Sequence, residues 1–321
     1  MSGEPRIPES IHVIERDWLS CNQVLLFDSE AEGGAVTLVD SGYAKHAELT
    51  VSLVAHVLAK RARPPQALRT LINTHLHSDH CGGNSALQRA FGCRTLVPSG
   101  DFDAARAWDE SKLSYRATGQ RCDRFRADAA LAPGARLRMG GADWVALAAP
   151  GHDPHSLILH CPRHRLLISA DALWQTGFGV IFPELGGESG FEEQRAVLDQ
   201  IESLDVHTVI PGHGTAFGDV AGAIARARKR LDVLASDRAR NARNALRALV
   251  KFLLLDRESV GLAALASDLR EATVMIDAAG QIGMSLGDAL EWAARELEAQ
   301  GQLRREGDVL FNREPELAGT D

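Results

Sequence analysis

The sequence predicts an α/β domain over residues 1–218 followed by a smaller, mostly helical domain over residues 219–321. Three observations carry this expectation. From about residue 22 to residue 218 short apolar runs alternate with helix-spaced segments, the pattern of sheets with helices packed on them. After Phe217 the pattern turns almost continuously helical, and no Pro interrupts it between Asp219 and Asp256. The length of 321 residues exceeds what one domain usually holds, while 45% hydrophobic and 24% charged residues is an ordinary globular composition.

Taken in order, residues 23–27 and 35–39 read as strands joined into a hairpin through the turn-like stretch 30–34. Residues 47–62 place Leu49, Leu53, Val54, Val57 and Leu58 at helical spacing. Further strands are predicted at 70–73, 95–97, 144–148, 157–160, 166–169 and 208–210, with a helix over 191–204. Residues 99–120 read as helix and connection, and Trp108, Asp109 and Glu110 within them form a candidate lid. In the C-terminal part residues 219–256 are expected to be helical, as are 260–271 and 285–298, the last with Ser285 as its N-cap. Residues 303–311 then form a two-stranded wing around Glu306, Gly307 and Asp308. Helices followed by a wing resemble a winged-helix module. Asp288, Glu291, Glu296 and Glu298 make its third helix too acidic for a DNA major groove.

The net charge of −8 gives no global reason to expect a nucleic-acid partner. Locally the balance reverses: between residues 221 and 251 nine bases face two acids. This is either a solvated helix face or a patch for an anionic substrate or an RNA backbone. Residues 1–17 contain no apolar secretory core and no later run reaches transmembrane length, so a cytoplasmic protein without a membrane anchor is expected. Five widely spaced cysteines fit reduced thiols. Cys81 alone stands beside the chemistry, as a ligand or as a small apolar filler.

That chemistry is concentrated in Thr74-His75-Leu76-His77-Ser78-Asp79-His80, three imidazoles and a carboxylate within six residues after a strand. Such groups are the preferred ligands of first-row divalent metals. His152, Asp171 and His213 each follow another predicted strand, and loops gathered at one sheet edge can converge on one site. Pro-Gly precedes both His152 and His213, which favours sharp turns with little bulk near the ligands.

In order and spacing, Thr-His-Leu-His-Ser-Asp-His at 74–80, Pro-Gly-His at 150–152, Ala-Asp at 170–171 and Pro-Gly-His-Gly at 211–214 resemble the metal motifs of the metallo-β-lactamase superfamily. Val39-Asp40-Ser41-Gly42 resembles its first motif, whose Asp supports the metal-binding loop. The resemblance covers about residues 20–218. It implies a four-layer αββα sandwich with two divalent metals at one edge, zinc foremost, with iron or manganese as alternatives. By the same resemblance His75, His77 and His152 would hold the first metal, Asp79, His80 and His213 the second, and Asp171 would bridge them. His77 in place of a glutamate argues against the di-iron flavoprotein branch.

The implied activity is hydrolysis of a small carbonyl substrate, an ester, thioester or lactone, by a hydroxide bridging two metals roughly 3.5–4 Å apart. Asp79 would orient the nucleophile. His155 is a candidate proton donor to the leaving group, or else a supporting histidine, and Trp174 and Phe178 are candidates for the substrate side. The stretch 173–182 departs from the glyoxalase-II-like pattern, with Val180 where that group tends to show Arg, and the substrate is expected to be framed by residues 173–184 and the C-terminal domain. Two alternatives remain at this level: a single-strand endoribonuclease using the basic stretch 226–251, and a metal-containing ligand sensor without turnover. A small-molecule substrate is the expected partner, and a homodimer is left open.

Overall fold

The computed structural model describes residues 3–313. Two sheets lie face to face. The first runs in the spatial order β1 (Ile11–Ile14), β2 (Gln23–Phe27), β3 (Val36–Val39), β4 (Leu68–Ile72), β5 (Arg94–Pro98) and β6 (Ala129–Leu131). Its first three strands pair antiparallel and β3 to β6 pair parallel. The second sheet contains β7 (Arg136–Met139), β8 (Ala142–Ala148), β9 (Leu157–Cys161), β10 (Leu166–Ala170) and β11 (Thr208–Pro211). It is ordered β11-β10-β9-β8-β7 and is antiparallel except between β10 and β11.

Alternating strand side chains point to opposite faces, so each sheet contributes one face to a shared core. Leu26, Val39 and Ile72 from the first sheet are buried there with Trp144, Ala146, Leu159 and Ile168 from the second. Trp144 is fully buried and donates its indole N–H to the Met139 carbonyl at 3.0 Å, which satisfies its one polar atom. The outer face of the first sheet is covered by α1 (Ala47–Lys60), then, beyond the short α2 (Ser78–Cys81), by α3 (Asn84–Phe91). Val54, Val57 and Leu58 of α1 meet Leu25, Leu38 and Leu71. Two short helices, α4 (Phe102–Ala107) and α5 (Ser114–Thr118), follow β5. The second sheet's outer face carries α6 (Phe191–Ser203) and α7 (Val220–Ser236). This is the expected αββα sandwich.

Beyond α7 the described residues form α8 (Arg238–Arg257), α9 (Leu262–Asp268), α10 (Thr273–Gln281) and α11 (Leu286–Ala299). A small antiparallel sheet in the order β12-β14-β13 joins β12 (Ser259–Gly261), β13 (Leu303–Glu306) and β14 (Val309–Asn312). These elements build their own core from Leu246, Leu249, Leu253, Leu265, Leu290 and Leu310 among others. Ser285 caps α11 by accepting from Asp288 N at 3.2 Å.

Several expectations are adjusted. The helical stretch 219–256 is two helices, because Asp237 leaves helical geometry (φ −150°, ψ 97°) and its carboxylate accepts from Ala239 N to cap α8. Residues 260–271 begin in β12, where Val260 pairs with Leu310. Trp108 is no lid: its ring stacks on Tyr115 at 5.7 Å and meets Phe125 edge-on at 5.5 Å, anchoring the segment after β5. The basic stretch is largely neutralised in place, with Arg226 on Asp219, Arg228 on Asp199 and Glu202, and Arg238 on Glu184. Among the described residues no helix is long and apolar enough to cross a membrane.

Trp144→Ala is expected to destabilise the protein by about 3–5 kcal/mol through loss of burial and an unfilled cavity. Denaturant unfolding should show a lower midpoint, and an unchanged midpoint would contradict the packing described.

Candidate metal centre

Strand direction gathers the site. β3, β4 and β5 run parallel, so their C-terminal ends share an edge, where Asp40 and the segment 74–80 lie. In the second sheet β10 and β11 run parallel, and β8 is antiparallel to β9, itself antiparallel to β10. The ends of β8, β10 and β11 therefore also lie together, and from them come His152, Asp171 and His213. β2 runs the other way, so its beginning reaches the same edge and brings Cys21 and Trp18.

The donor atoms fall into two groups, each within 4.8 Å: His75, His77 and His152, and Asp79, His80, Asp171 and His213. All are buried except half-buried Asp79. His77 Nδ1 and His152 Nε2 stand 2.7 Å apart. In the second group His213 Nε2 lies 3.1 Å from Asp79 Oδ2, and His80 Nε2 lies 3.3 Å from Asp171 Oδ1 and 3.9 Å from Asp79 Oδ2. The other oxygen of Asp171, Oδ2, lies 3.5 Å from His152 Nε2. One carboxylate thus presents an oxygen to each group. His75 Nε2, His80 Nε2 and His213 Nδ1 are buried without a hydrogen-bond partner among the described residues, a state that proteins rarely leave uncompensated and that a cation beside the first two relieves.

The surrounding hydrogen bonds orient these rings. Asp40 accepts from Thr74 N at 2.9 Å and from Thr74 Oγ1 at 2.8 Å, and its Oδ2 meets His80 Nδ1 at 2.9 Å. With Nδ1 so engaged, His80 turns Nε2 toward the carboxylates. His152 donates from Nδ1 to the Val180 carbonyl at 2.5 Å, which frees its Nε2 in the same way. Behind the loop Asn73, Asn84 and Ser41 form a buried chain that also holds the His80 carbonyl. Two glycines make room: a Cβ on Gly212 would collide with Asp171 Oδ1, and one on Gly179 with His152 Nδ1.

Electrostatics separate the two groups. Burial, then neighbouring imidazoles, hold His75 well below its usual pKa, and burial brings His77 and His152 down to about 4, so all three are neutral and able to ligate. His80 goes the other way: burial opposes its charge, but the Cys21 thiol and the carboxylates of Asp171, Asp40 and Asp79 outweigh it and raise its pKa. Asp171 is held well below the usual carboxylate range, since His80 and His213 outweigh the cost of burial. Buried carboxylates at this density call for positive charge beside them. Divalent cations fit the same demand. Cys21, Asp40 and His80 form a third close group, but Asp40 and His80 satisfy one another and burial pushes the Cys21 thiol up to about 11. Cys81 faces the carbonyls of Leu76 and His77 and the Tyr115 hydroxyl, away from the donor groups.

A pocket of about 60 Å3 opens over the donors, walled by Trp18, Trp174, Phe182, Leu249 and Phe252 and reached by His77, Asp79 and His213. Trp174 lies where the sequence places it, with its indole N–H on Asp171 Oδ1 at 3.2 Å. Phe178 does not reach the pocket: it is fully buried between the second sheet and α7, under Arg230. His155 turns outward to Asp101 Oδ1 at 2.8 Å and does not line the pocket. Phe182 falls in the stretch 173–184, and Leu249 and Phe252 in the C-terminal domain, that were expected to frame the substrate, though none was singled out, and Trp18 was not anticipated. Trp18 had a signal in the antiparallel start of β2, whereas the α8 residues read only as helix core.

A profile of the Metallo-beta-lactamase superfamily matches residues 16–213. Hydroxyacylglutathione hydrolase of Anaeromyxobacter dehalogenans is 30% identical over 200 residues, 61% of this chain and 63% of that protein. The hydroxyacylglutathione hydrolase of Hyphomonas neptunium is 27% identical over 125 residues, 39% of this chain and 41% of that protein. The chain therefore spans between 41% and 63% of the length of these relatives. Among solved structures, a beta-lactamase domain protein from Burkholderia ambifaria superposes with a TM-score of 0.57 at 20% identity, covering 96% of this chain and 94% of that one. A metallo-beta-lactamase family protein from Thermus thermophilus gives 0.54 at 19% identity, covering 95% and 99%. At that identity the structures speak for the fold, which extends over the C-terminal elements as well. With a profile match across most of the sandwich, the chain belongs to the metallo-beta-lactamase superfamily.

Proposed function

We propose that this chain is a metal-dependent hydrolase of a small carbonyl ester, thioester or lactone, working with two divalent cations. The observation that carries the reading is the pair of donor groups with one oxygen of Asp171 facing each, at the floor of an apolar-walled pocket. His75, His77 and His152 would hold the first ion, Asp79, His80 and His213 the second, and Asp171 both. Zinc suits such donors best, with iron and manganese as alternatives. When bound, the ions supply Lewis-acid polarisation of a carbonyl and acidify water.

The chain's own residues do the rest. Asp40 and the Val180 carbonyl fix the tautomers of His80 and His152. Trp174 fixes the rotation of Asp171. Asp79 has the most exposed of the three carboxylates, 17% against 7% for Asp171 and 4% for Asp40, so it is the one that reaches and orients an attacking water. Trp18, Trp174, Phe182, Leu249 and Phe252 exclude bulk water and receive an apolar acyl group. The unit from residue 219 onward acts as a C-terminal domain that closes the pocket through α8, while residues 1–218 carry every ligand. Five free thiols accord with a cytoplasmic setting.

The relatives named hydroxyacylglutathione hydrolase favour a thioester among the three carbonyl classes. No Lys or Arg lines the pocket among the described residues, so the charged ends of a glutathione moiety find no partner there.

Zinc-loaded protein is expected to hydrolyse members of a panel of esters, thioesters and lactones, with activity removed by chelation and reduced about 100-fold or more in His77→Ala. No turnover across the panel would reject the reading. Asp40→Asn should weaken metal binding about 10- to 100-fold in chelator competition. Phe252→Ala should raise KM about tenfold for acyl chains that fill the pocket, and an unchanged KM would remove α8 from the substrate wall.

A further inference from the structure

A second cleft, of about 370 Å3, lies between α7 and α8, lined by Arg230, Arg240, Arg243, Arg247 and Asn244 over Leu234. Most of the basic stretch outside it is neutralised, but the cleft is only partly so. Arg240 has Asp237 at 3.5 Å and Arg247 has Glu296 at 3.7 Å, whereas no carboxylate among the described residues pairs with Arg230 or Arg243. Arg230 is half-buried with its guanidinium 5.3 Å above the Phe178 ring, and burial without a counter-charge lowers its pKa. A partly desolvated cation in that state favours an anion beside it, and guanidinium groups match phosphate oxygens two at a time.

The cleft and the metal-side pocket border the same two segments of chain. In the loop after β10, Trp174, Gly179, Val180 and Phe182 line the pocket, while a Cβ on Gly177 would touch Arg230. On α8, Asn244 of the cleft stands about one turn, roughly 6 Å along the axis, before Ala248 of the pocket. The metal-side space suits only the reacting end of a substrate, and the larger, cationic space lies next to it.

We propose that this cleft is a subsite for clustered phosphates, and that the substrate is an acyl thioester whose thiol part carries them at its far end. The thioester part rests on the hydrolase reading above; the phosphate site stands on the cleft itself. A compact polyphosphate fits better than a nucleic-acid strand, because Asp199, Glu202, Asp237 and Glu296 bound the positive field and leave no extended track.

The test is calorimetric titration of the metal-free full-length protein with inorganic pyrophosphate, coenzyme A, glutathione and a 12-nucleotide single-stranded RNA. Pyrophosphate and coenzyme A should bind in a salt-sensitive manner and lose about tenfold in affinity in Arg243→Gln. Lys229→Gln, an exposed base outside the cleft, should leave both affinities unchanged. Arg243 is exposed, so its variant should fold even if Arg230→Gln does not. Absent pyrophosphate binding, equal affinity in Arg243→Gln, or glutathione or RNA binding more tightly than coenzyme A would overturn the proposal. Turnover by zinc-loaded protein then separates the two readings. Acetyl-coenzyme A should be cleaved with a lower KM than its unphosphorylated pantetheine analogue. Phosphate binding without any thioester cleavage would overturn the substrate assignment and the hydrolase reading's thioester arm, while leaving the anion site in place.

Discussion

Three carboxylates converge on one buried imidazole, and most of the structure around the site follows from that. Asp40 holds His80 from one side at 2.9 Å, while Asp171 and Asp79 face its other nitrogen at 3.3 and 3.9 Å. Buried negative charges at this density are costly unless positive charge is brought to them. No Lys or Arg lines this pocket among the described residues. The imidazoles of the first group are neutral by burial, and in the second group His80 and His213 are the rings that face the carboxylates. The sandwich sets this problem up by ending β3, β4, β8, β10 and β11 at one edge. The proposed metals resolve it.

Much of the donor set was legible in sequence because it depends on short-range spacing and on strand ends. His75, His77, Asp79 and His80 lie within six residues, and His152, Asp171 and His213 each follow an apolar run whose strand character needs only a few residues to recognise. The supporting role of Asp40 was also legible, through the motif at the end of β3. β1, β6 and β7 were not: Ile-His-Val-Ile, Ala-Ala-Leu and Arg-Leu-Arg-Met are short and mixed, and become strands only by pairing with neighbours already in place.

The substrate side was read less well, for a physical reason. Its walls come from places with no local mark of exposure to a pocket. Phe252 repeats the helical spacing of the buried Leu249 and Leu253, and only the edge-on approach of Tyr43 at 4.9 Å shows that it turns toward the sandwich. Phe178 fails in the opposite sense. Its neighbours Trp174 and Val180 line the pocket, but the turn between them points its ring back onto the second sheet. Loop direction, not composition, decides which aromatic ring meets substrate. His155 shows the same limit, since a candidate donor at His152 does not determine which way a ring three residues later faces.

Charge reading shows a related limit of one-dimensional evidence. Nine bases between residues 221 and 251 look like a patch when counted along the chain, yet folding assigns carboxylates from α6, from the loop after β10 and from α11 to several of them. Surface pairs of this kind contribute little to stability, about 0–1 kcal/mol each, but they cancel local potential. What matters for recognition is the residue that partners leave over. In this chain that remainder sits at the junction of α7 and α8, beside the loop that also shapes the metal-side pocket. The same helix, α8, therefore presents an apolar face to one cavity and a cationic face to the other, and the proposed substrate, with an uncharged acyl end and an anionic far end, would use both.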